Sequence, residues 1–276
     1  MTAMVKIALA FIVFITPSGL AQAKQGYAIA ALIYEKASKR IWKVENQSIL
    51  ASLDDGKSWT DLSAPLVWQG SPNIAVSSDG NTIYASTDRG IYRRLADSNH
   101  WEPIINDLPS SSVTALAAHS TQSNTVYVSI AGDGIYRSQD AGKSWRKMDR
   151  GPDKVRQMLH SSLKGSMDSG WLYVLPDAGL RLSMDCFCLW RDIGDPKIKY
   201  EAVTIDPDQP ELVYAATKDS ILRSPNGGQD WEWVASPGLA ITALAAGRPK
   251  KIYLGTADGK LYLSSDAGVS WEFMSD

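Results

Sequence analysis

The chain has 276 residues, with 28 lysines and arginines against 30 aspartates and glutamates, a formal charge of −2. That balance lacks the basic footprint a polyphosphate partner demands, which excludes nucleic acid. An apolar fraction of 44% with 21 glycines and 13 prolines excludes a low-complexity chain and fits one turn-rich globular domain.

The N-terminus reads as a leader. Lys6 precedes an apolar run from Ile7 to Ile15, followed by Pro17, Ser18 and Gly19 and then by Ala21-Gln22-Ala23, a small-x-small cleavage site. The run is too short to span a bilayer. Residues 1–23 are therefore expected to be a signal peptide. Residues 24–276 are expected to form a single exported domain with no integral membrane segment, in the bacterial periplasm or outside the cell.

The remaining chain divides into six units, at approximately 24–63, 64–105, 106–149, 150–194, 195–235 and 236–276. The first opens on the small residues Ala30 to Leu32, passes Trp42 and Ile49, and ends in the octapeptide Ser52 to Trp59 (SLDDGKSW) and Leu62. The second runs through Ala75 to Ser77, Tyr84 and Ile91 to Trp101 and Ile104, and of the octapeptide only Trp101 survives. The third has Ala115 to Ala118, Tyr127, Ile135, the complete octapeptide Ser138 to Trp145 (SQDAGKSW) and Met148. The fourth has Tyr173, Leu180, an eroded octapeptide from Ser183 to Trp190 in which Phe187 stands in the glycine's place, and Ile193. The fifth has Ala202 to Thr204, Tyr214, Ile221, the sequence Ser224 to Trp231 with Asn226 in the aspartate's place, and Val234. The sixth closes with Ala243 to Ala246, Tyr253, Leu261, Ser264 to Trp271 (SSDAGVSW) and Met274.

The six tryptophans are separated by 42, 44, 45, 41 and 40 residues. A fixed period near 40 means one supersecondary unit copied and stacked, because a single unit cannot bury its own apolar faces. Alternating runs such as TIYAST, TVYVSI and KIYLGT have the period of two of half-buried strands. The small residues opening the units suit the crowded axis of a β-propeller, where blades converge and volume must shrink. The expected fold is all-β: a six-bladed β-propeller of four-stranded antiparallel blades. Each unit supplies its own four strands, so the ring is expected to close by packing rather than by a shared strand.

The Ser-x-Asp-x-Gly-x-Ser-Trp octapeptides resemble Asp-box, or BNR, repeats of sialidase-type and related propellers. In each, the serine and aspartate (Ser52 and Asp54, Ser138 and Asp140, Ser264 and Asp266) are expected to bind turn amides. The glycine (Gly56, Gly142, Gly268) allows a positive φ, and the tryptophan (Trp59, Trp145, Trp271) wedges against the neighbouring sheet. The resemblance implies that these hairpins are structural and lie on the face opposite the ligand site. Among compact propellers of this kind the chain is similar to the photosystem II stability and assembly factor family, which implies docking of a protein complex through one face. That family commonly has seven blades and an arginine-rich patch, against six units and Arg146, Arg150 and Arg156 here.

Candidate binding residues lie on the opposite face. Asp88, Asp133, Asp177, Asp219 and Asp258 recur in the turns between second and third strands. Such a ring suits a cation or a basic partner, while Asp-Gly dipeptides also satisfy plain turn chemistry. The inter-blade loops add Trp68, the segment from Arg146 through Arg150 to Arg156, and Lys199 with Tyr200, residues a binding surface uses. A protein or protein complex of the cell envelope is the expected partner, with a glycan as the alternative.

Catalysis finds less support. A sialidase calls for three convergent arginines and a tyrosine nucleophile assisted by a glutamate. The nearest counterpart of its Arg-Ile-Pro motif is Arg40-Ile41-Trp42, inside a strand, and the adjacent Tyr200 and Glu201 should point to opposite faces. The three histidines lack metal-ligand spacing. Cys186 and Cys188 leave open a tight disulfide, a soft-metal pair and a purely local role. No cofactor and no metal are expected.

Overall fold

The computed structural model describes residues 26–64, 72–87, 90–104, 107–149, 151–166, 170–184, 187, 189–235 and 237–275. The expected signal peptide, and with it the question of export, lies outside them. Among the described residues there is no helix and hence none long and apolar enough to cross a membrane.

Each unit folds into one antiparallel sheet whose strands neighbour one another in chain order. The first blade is β1 (Ile29–Glu35), β2 (Arg40–Glu45), β3 (Ser48–Ser52) and β4 (Thr60–Asp61). The second is β5 (Asn73–Val76), β6 (Thr82–Thr87), β7 (Gly90–Leu95) and β8 (Glu102–Pro103). The third is β9 (Val113–Ala118), β10 (Val126–Ile130), β11 (Gly134–Ser138) and β12 (Arg146–Asp149). The fourth is β13 (Gln157–Ser161), β14 (Trp171–Leu175), β15 (Leu180–Met184) and β16 (Arg191–Ile193). The fifth is β17 (Ala202–Ile205), β18 (Val213–Ala216), β19 (Ile221–Ser224) and β20 (Glu232–Ala235). The sixth is β21 (Ile241–Gly247), β22 (Lys251–Thr256), β23 (Leu261–Ser264) and β24 (Glu272–Ser275).

The first strands form the inner ring: β1 meets β5, β5 meets β9, and so on through β13, β17 and β21, which meets β1 again. The chain is a six-bladed β-propeller. Among the described residues no strand is shared between blades, and the first and last blades meet by packing of β1 on β21. It is reinforced where Thr242 Oγ1 donates to the Ile29 carbonyl at 2.8 Å.

A propeller has no single core, and this one has six, each between two blades. Between blades one and two, Trp42, Val44 and Ile49 pack against Ile74, Ile83 and Trp101. Between blades six and one, Leu261 and Tyr253 pack against Ile29 and Ile41. The aromatic of every second strand (Trp42, Tyr84, Tyr127, Tyr173, Tyr214, Tyr253) is buried to 1% exposure or less. The period in the sequence is thus the period of these interfaces, because each blade must fill the same gap against its neighbour.

The octapeptides make the turns from third to fourth strand. Ser138 Oγ donates to Asp140 Oδ1 at 2.7 Å and accepts the Gly142 N–H at 2.7 Å. Asp140 in turn accepts the Ser144 N–H at 2.9 Å and its hydroxyl at 2.6 Å. The first and last octapeptides repeat this network. Its hydrogen bonds, the Ser144 hydroxyl foremost, hold the Asp140 carboxyl down to about 2. In the fifth blade Asn226 keeps the geometry, its amide donating to Asp230 at 2.7 Å.

Each turn leans on the preceding blade. The Trp101 and Trp145 indoles donate to the carbonyls of Leu62 and Ile104, one blade back, at 3.0 and 3.1 Å. Gly142 has φ +88°, and a Cβ there would lie 2.4 Å from Ile104, so both conformation and room require glycine. Phe187 holds the corresponding place with φ +56°. Its ring, fully buried, meets Tyr127 of the third blade edge-on at 5.4 Å.

Candidate functional site

The inner strands enclose an axial cavity of about 620 Å³. Its wall is largely small or aliphatic, with Ala31, Ala75, Ala117 and Val203 among its residues. One side-chain amide stitches the wall: Gln157 donates to the Val203 carbonyl and accepts the Val203 N–H, both at 2.9 Å.

The face away from the octapeptides carries the turns between second and third strands. Asp133 accepts from Lys147 at 2.7 Å and from the Tyr136 hydroxyl. Asp219 accepts from Ser220 Oγ at 2.9 Å. Asp258 accepts from Thr256 and Lys260 at 2.5 and 2.7 Å, which holds its carboxyl below the ordinary range. These three aspartates are committed to their own blades. No group of three or more potential His, Cys, Asp or Glu ligands comes together among the described residues. Asp88 lies outside them, as do Trp68, Arg150, Cys186 and Cys188.

Asp177 differs. It stands 3.7 Å from Lys154 and 3.8 Å from Arg156, with 62% of its side chain exposed. Arg156, which leads into β13, donates to the carbonyls of Pro176 at 3.2 Å and Tyr200 at 2.6 Å. Glu201 lies 3.9 Å from Arg156 and 2.9 Å from Lys199. Asp177, Arg156, Lys199 and the Tyr200 backbone are therefore gathered between blades four and five, and Arg156 and Glu201 line the cavity.

Two expectations about this segment need correction. Tyr200 presents no ring to solvent: it is 1% exposed, packs in the core between blades four and five, and its hydroxyl accepts the Asp195 N–H at 3.2 Å. It faces away from Glu201, as alternation along an extended segment requires. Arg146 does not join Arg156, because it opens the outermost strand β12 opposite Arg137 rather than lying in an inter-blade loop. Arg156 is the one arginine lining the cavity among the described residues. Arg40 lies over the Trp42 ring, 5.4 Å from its centroid.

The mouth on the octapeptide side was not legible in the sequence. Lys36 of the first blade reaches Asp208 and the Pro207 carbonyl of the fifth, each at 2.9 Å, and Arg248 of the sixth binds the same aspartate. Glu35 is 4% exposed and receives the N–H groups of Ala37 and Ser38 and the Ser38 hydroxyl. Nearby, His119 and His160 stack with ring centroids 3.7 Å apart. His119 Nδ1 accepts the N–H groups of Thr121 and Gln122, both at 3.1 Å, which places the proton on Nε2. Burial first, then the charges of His160 and Arg137, push its pKa down to about 3.

No protein-family model matches the chain. A stretch of 81 residues, 29% of the chain, is 30% identical to the vacuolar protein sorting/targeting protein 10 of Colletotrichum graminicola, of which it covers 5%. The likeness to solved structures is one of fold. The GH74 enzyme of Niastella koreensis superposes with a TM-score of 0.62 at 15% identity, over 90% of this chain and 47% of that one. A chain of the nidogen/laminin complex gives 0.68 at 12% identity, over 86% and 93%. YCF48 bound to D1 peptide gives 0.58 at 18% identity, over 91% and 83%. The propeller thus has neighbours found in protein complexes and neighbours that are enzymes, and fold leaves the choice to the site.

Proposed function

We propose that this protein is an exported, non-enzymatic propeller of the Asp-box type that docks a protein or protein complex of the cell envelope through the face opposite its octapeptide turns. One observation carries the reading: the cavity mouth between blades four and five holds charged groups that its own fold leaves loosely paired. Asp177 and Lys154 are 62% and 80% exposed, and the contacts of Asp177 are long, at 3.7 and 3.8 Å; beside them Lys199, 64% exposed, binds Glu201 at 2.9 Å. The octapeptides, by contrast, spend their polar atoms on their own turns. Exposed, weakly committed charges exchange partners at little cost, which suits recognition and electrostatic steering. Two fold neighbours seen with protein partners, YCF48 with D1 peptide and the nidogen/laminin complex, are in keeping with this. Of the two aromatics that could serve a glycan as platform, Tyr200 is buried and Trp68 lies outside the described residues.

A photo-crosslinking residue at Lys199, on this face, is expected to capture a protein from the native envelope. The same residue at Lys143, in the third octapeptide, is expected to capture none. Capture at Lys143 alone would reverse the assignment of faces, and hydrolysis of a fluorogenic sialoside by the purified mature chain would refute the non-enzymatic reading.

A further inference from the structure

At the outer rim the last two strands of one blade face those of the next across a groove. Three blades carry an arginine at the same place of the third strand: Arg93, Arg137 and Arg223, each two residues after the repeat isoleucine (Ile91, Ile135, Ile221). In blades two and five the residue directly opposite, on the outermost strand, is a glutamate. Arg93 Nε donates to Glu102 and Arg223 Nε to Glu232, each at 2.8 Å. In blade three the residue opposite Arg137 is Arg146. Like charges directly across two strands repel, so blades two and five show the arrangement that serves the fold, and blade three departs from it.

The facing wall adds a third arginine. Ile135 packs in the core between blades three and four and Tyr136 in the core between two and three. Arg137, and with it Arg146 across the sheet, therefore points toward blade four. In blade four Leu180 and Leu182 pack toward blade five, which turns Arg181, between them, toward blade three. Its cross-strand partner Asp192 lies on the same side and accepts from Arg181 Nε at 2.8 Å. Trp190, two residues before Asp192, packs between the same two blades. Arg137, Arg146 and Arg181 thus line one groove, with Asp192 as the acid beside them. Arg146 is exposed, and Arg181 and Asp192 are 43% and 52% exposed. Facing sheets stand about 10 Å apart, a gap that arginines on both walls can span around a ligand.

We infer that the outer groove of blades three and four docks an acidic segment of a partner protein. Its carboxylates lie between Arg137 and Arg146 and reach Arg181, supplying from outside the acid that Glu102 and Glu232 supply in blades two and five. Guanidinium forks hold carboxylates in this manner, by paired N–H donors. The groove opens on the outer wall of the ring, whereas Asp177, Lys154 and Lys199 stand at the cavity mouth, so the inference stands or falls independently of that mouth.

Calorimetric titration of the full chain with the capped peptide Glu-Ala-Glu-Ala-Glu-Ala tests it, with Lys-Ala-Lys-Ala-Lys-Ala and inorganic phosphate as controls. The glutamate peptide is expected to bind, with an affinity that falls on adding salt, and phosphate to bind about tenfold more weakly. Arg146→Glu restores the pair of blades two and five. It is expected to weaken the peptide about tenfold with a melting temperature no lower than the parent's. Arg146→Gln and Arg181→Gln are each expected to weaken it about threefold, and Lys199→Gln, at the cavity mouth, to leave it unchanged. No binding by the unaltered chain, equal binding of the lysine peptide, or unchanged affinity in Arg146→Glu or Arg181→Gln would overturn the inference. Phosphate binding as tightly as the peptide would reduce the groove to a small-anion site, and a lower melting temperature in Arg146→Glu would assign Arg146 to the fold. Self-association of the unaltered chain that Arg146→Glu abolishes would likewise overturn it, since the groove would then serve a second copy.

Discussion

The carboxylate of Asp55, in the first blade, accepts the hydroxyl of Tyr253, in the sixth, at 2.6 Å, and the Lys251 ammonium at the same distance. This clasp joins the first and last blades of the ring on the octapeptide side, where no strand among the described residues is shared between them.

Replacing Asp55 with Asn keeps the left-handed backbone, φ +61°, which asparagine tolerates, but removes the charge. Partial exposure limits the expected loss to about 1 kcal/mol, or roughly 2–4 °C in melting temperature. Burial raises the Asp55 pKa, yet the bonds from Lys251 and Tyr253 outweigh it and leave the value lowered. The contribution is therefore complete above the ordinary carboxylate range and disappears as pH falls through the depressed value. Melting curves at neutral pH and in acid should show the gap between variant and parent closing; a constant gap would show that the charge is irrelevant.

His119 stays neutral in the fold down to about 3, whereas in the unfolded chain it takes up a proton near 6.5. Between those values the unfolded state binds the extra proton, so stability falls on acidification by about 1.4 kcal/mol per pH unit from this group. His119→Asn preserves the turn, because Asp206 Oδ1 caps the equivalent amides in blade five at 2.8 and 3.0 Å. Denaturant titrations at pH 6.5 and 4.5 should show a shallower pH slope in the variant. Parallel slopes would assign the acid sensitivity elsewhere.

Phe187→Gly sets two effects against each other. Relief of the positive φ returns about 1–2 kcal/mol, and loss of a fully buried phenyl ring costs about 3–5 kcal/mol. The expected net loss is about 2 kcal/mol, visible as a lower urea midpoint. A higher midpoint would mean that backbone strain dominates at this turn.

Ser138→Ala removes a buried hydroxyl that both donates to Asp140 and accepts from Gly142. Leaving the Gly142 N–H without its partner should cost about 1–2 kcal/mol. An NMR titration should find the Asp140 carboxyl moved upward from its present value of about 2, since one of its supporting hydrogen bonds is gone. An unmoved Asp140 would show that the Ser144 contacts alone hold it.

The blades were legible because each repeats one set of short-range contacts. Ser138, Asp140, Gly142 and Trp145 act within a single turn or against the next interface, so their spacing carries their roles. Asp133, Asp219 and Asp258 were open to two readings, and their bonds to Lys147, Ser220 and Lys260 favour the local one. Tyr200 misled because a loop aromatic beside Lys199 reads as surface, while the core between blades four and five claims its ring. Lys36, Asp208 and Arg248 left no signal. They come from the first, fifth and sixth blades and meet only once the ring has closed.

By itself the amino-acid order determined the blade count, the strand periodicity and the chemistry of the turns, since each depends on residues a few positions or one repeat apart. The tertiary structure alone decided which charges share the cavity mouths, which arginines face one another across an outer groove and how first blade meets last. Those outcomes depend on the angle at which separate units converge, and ring closure brings together side chains that no local spacing relates.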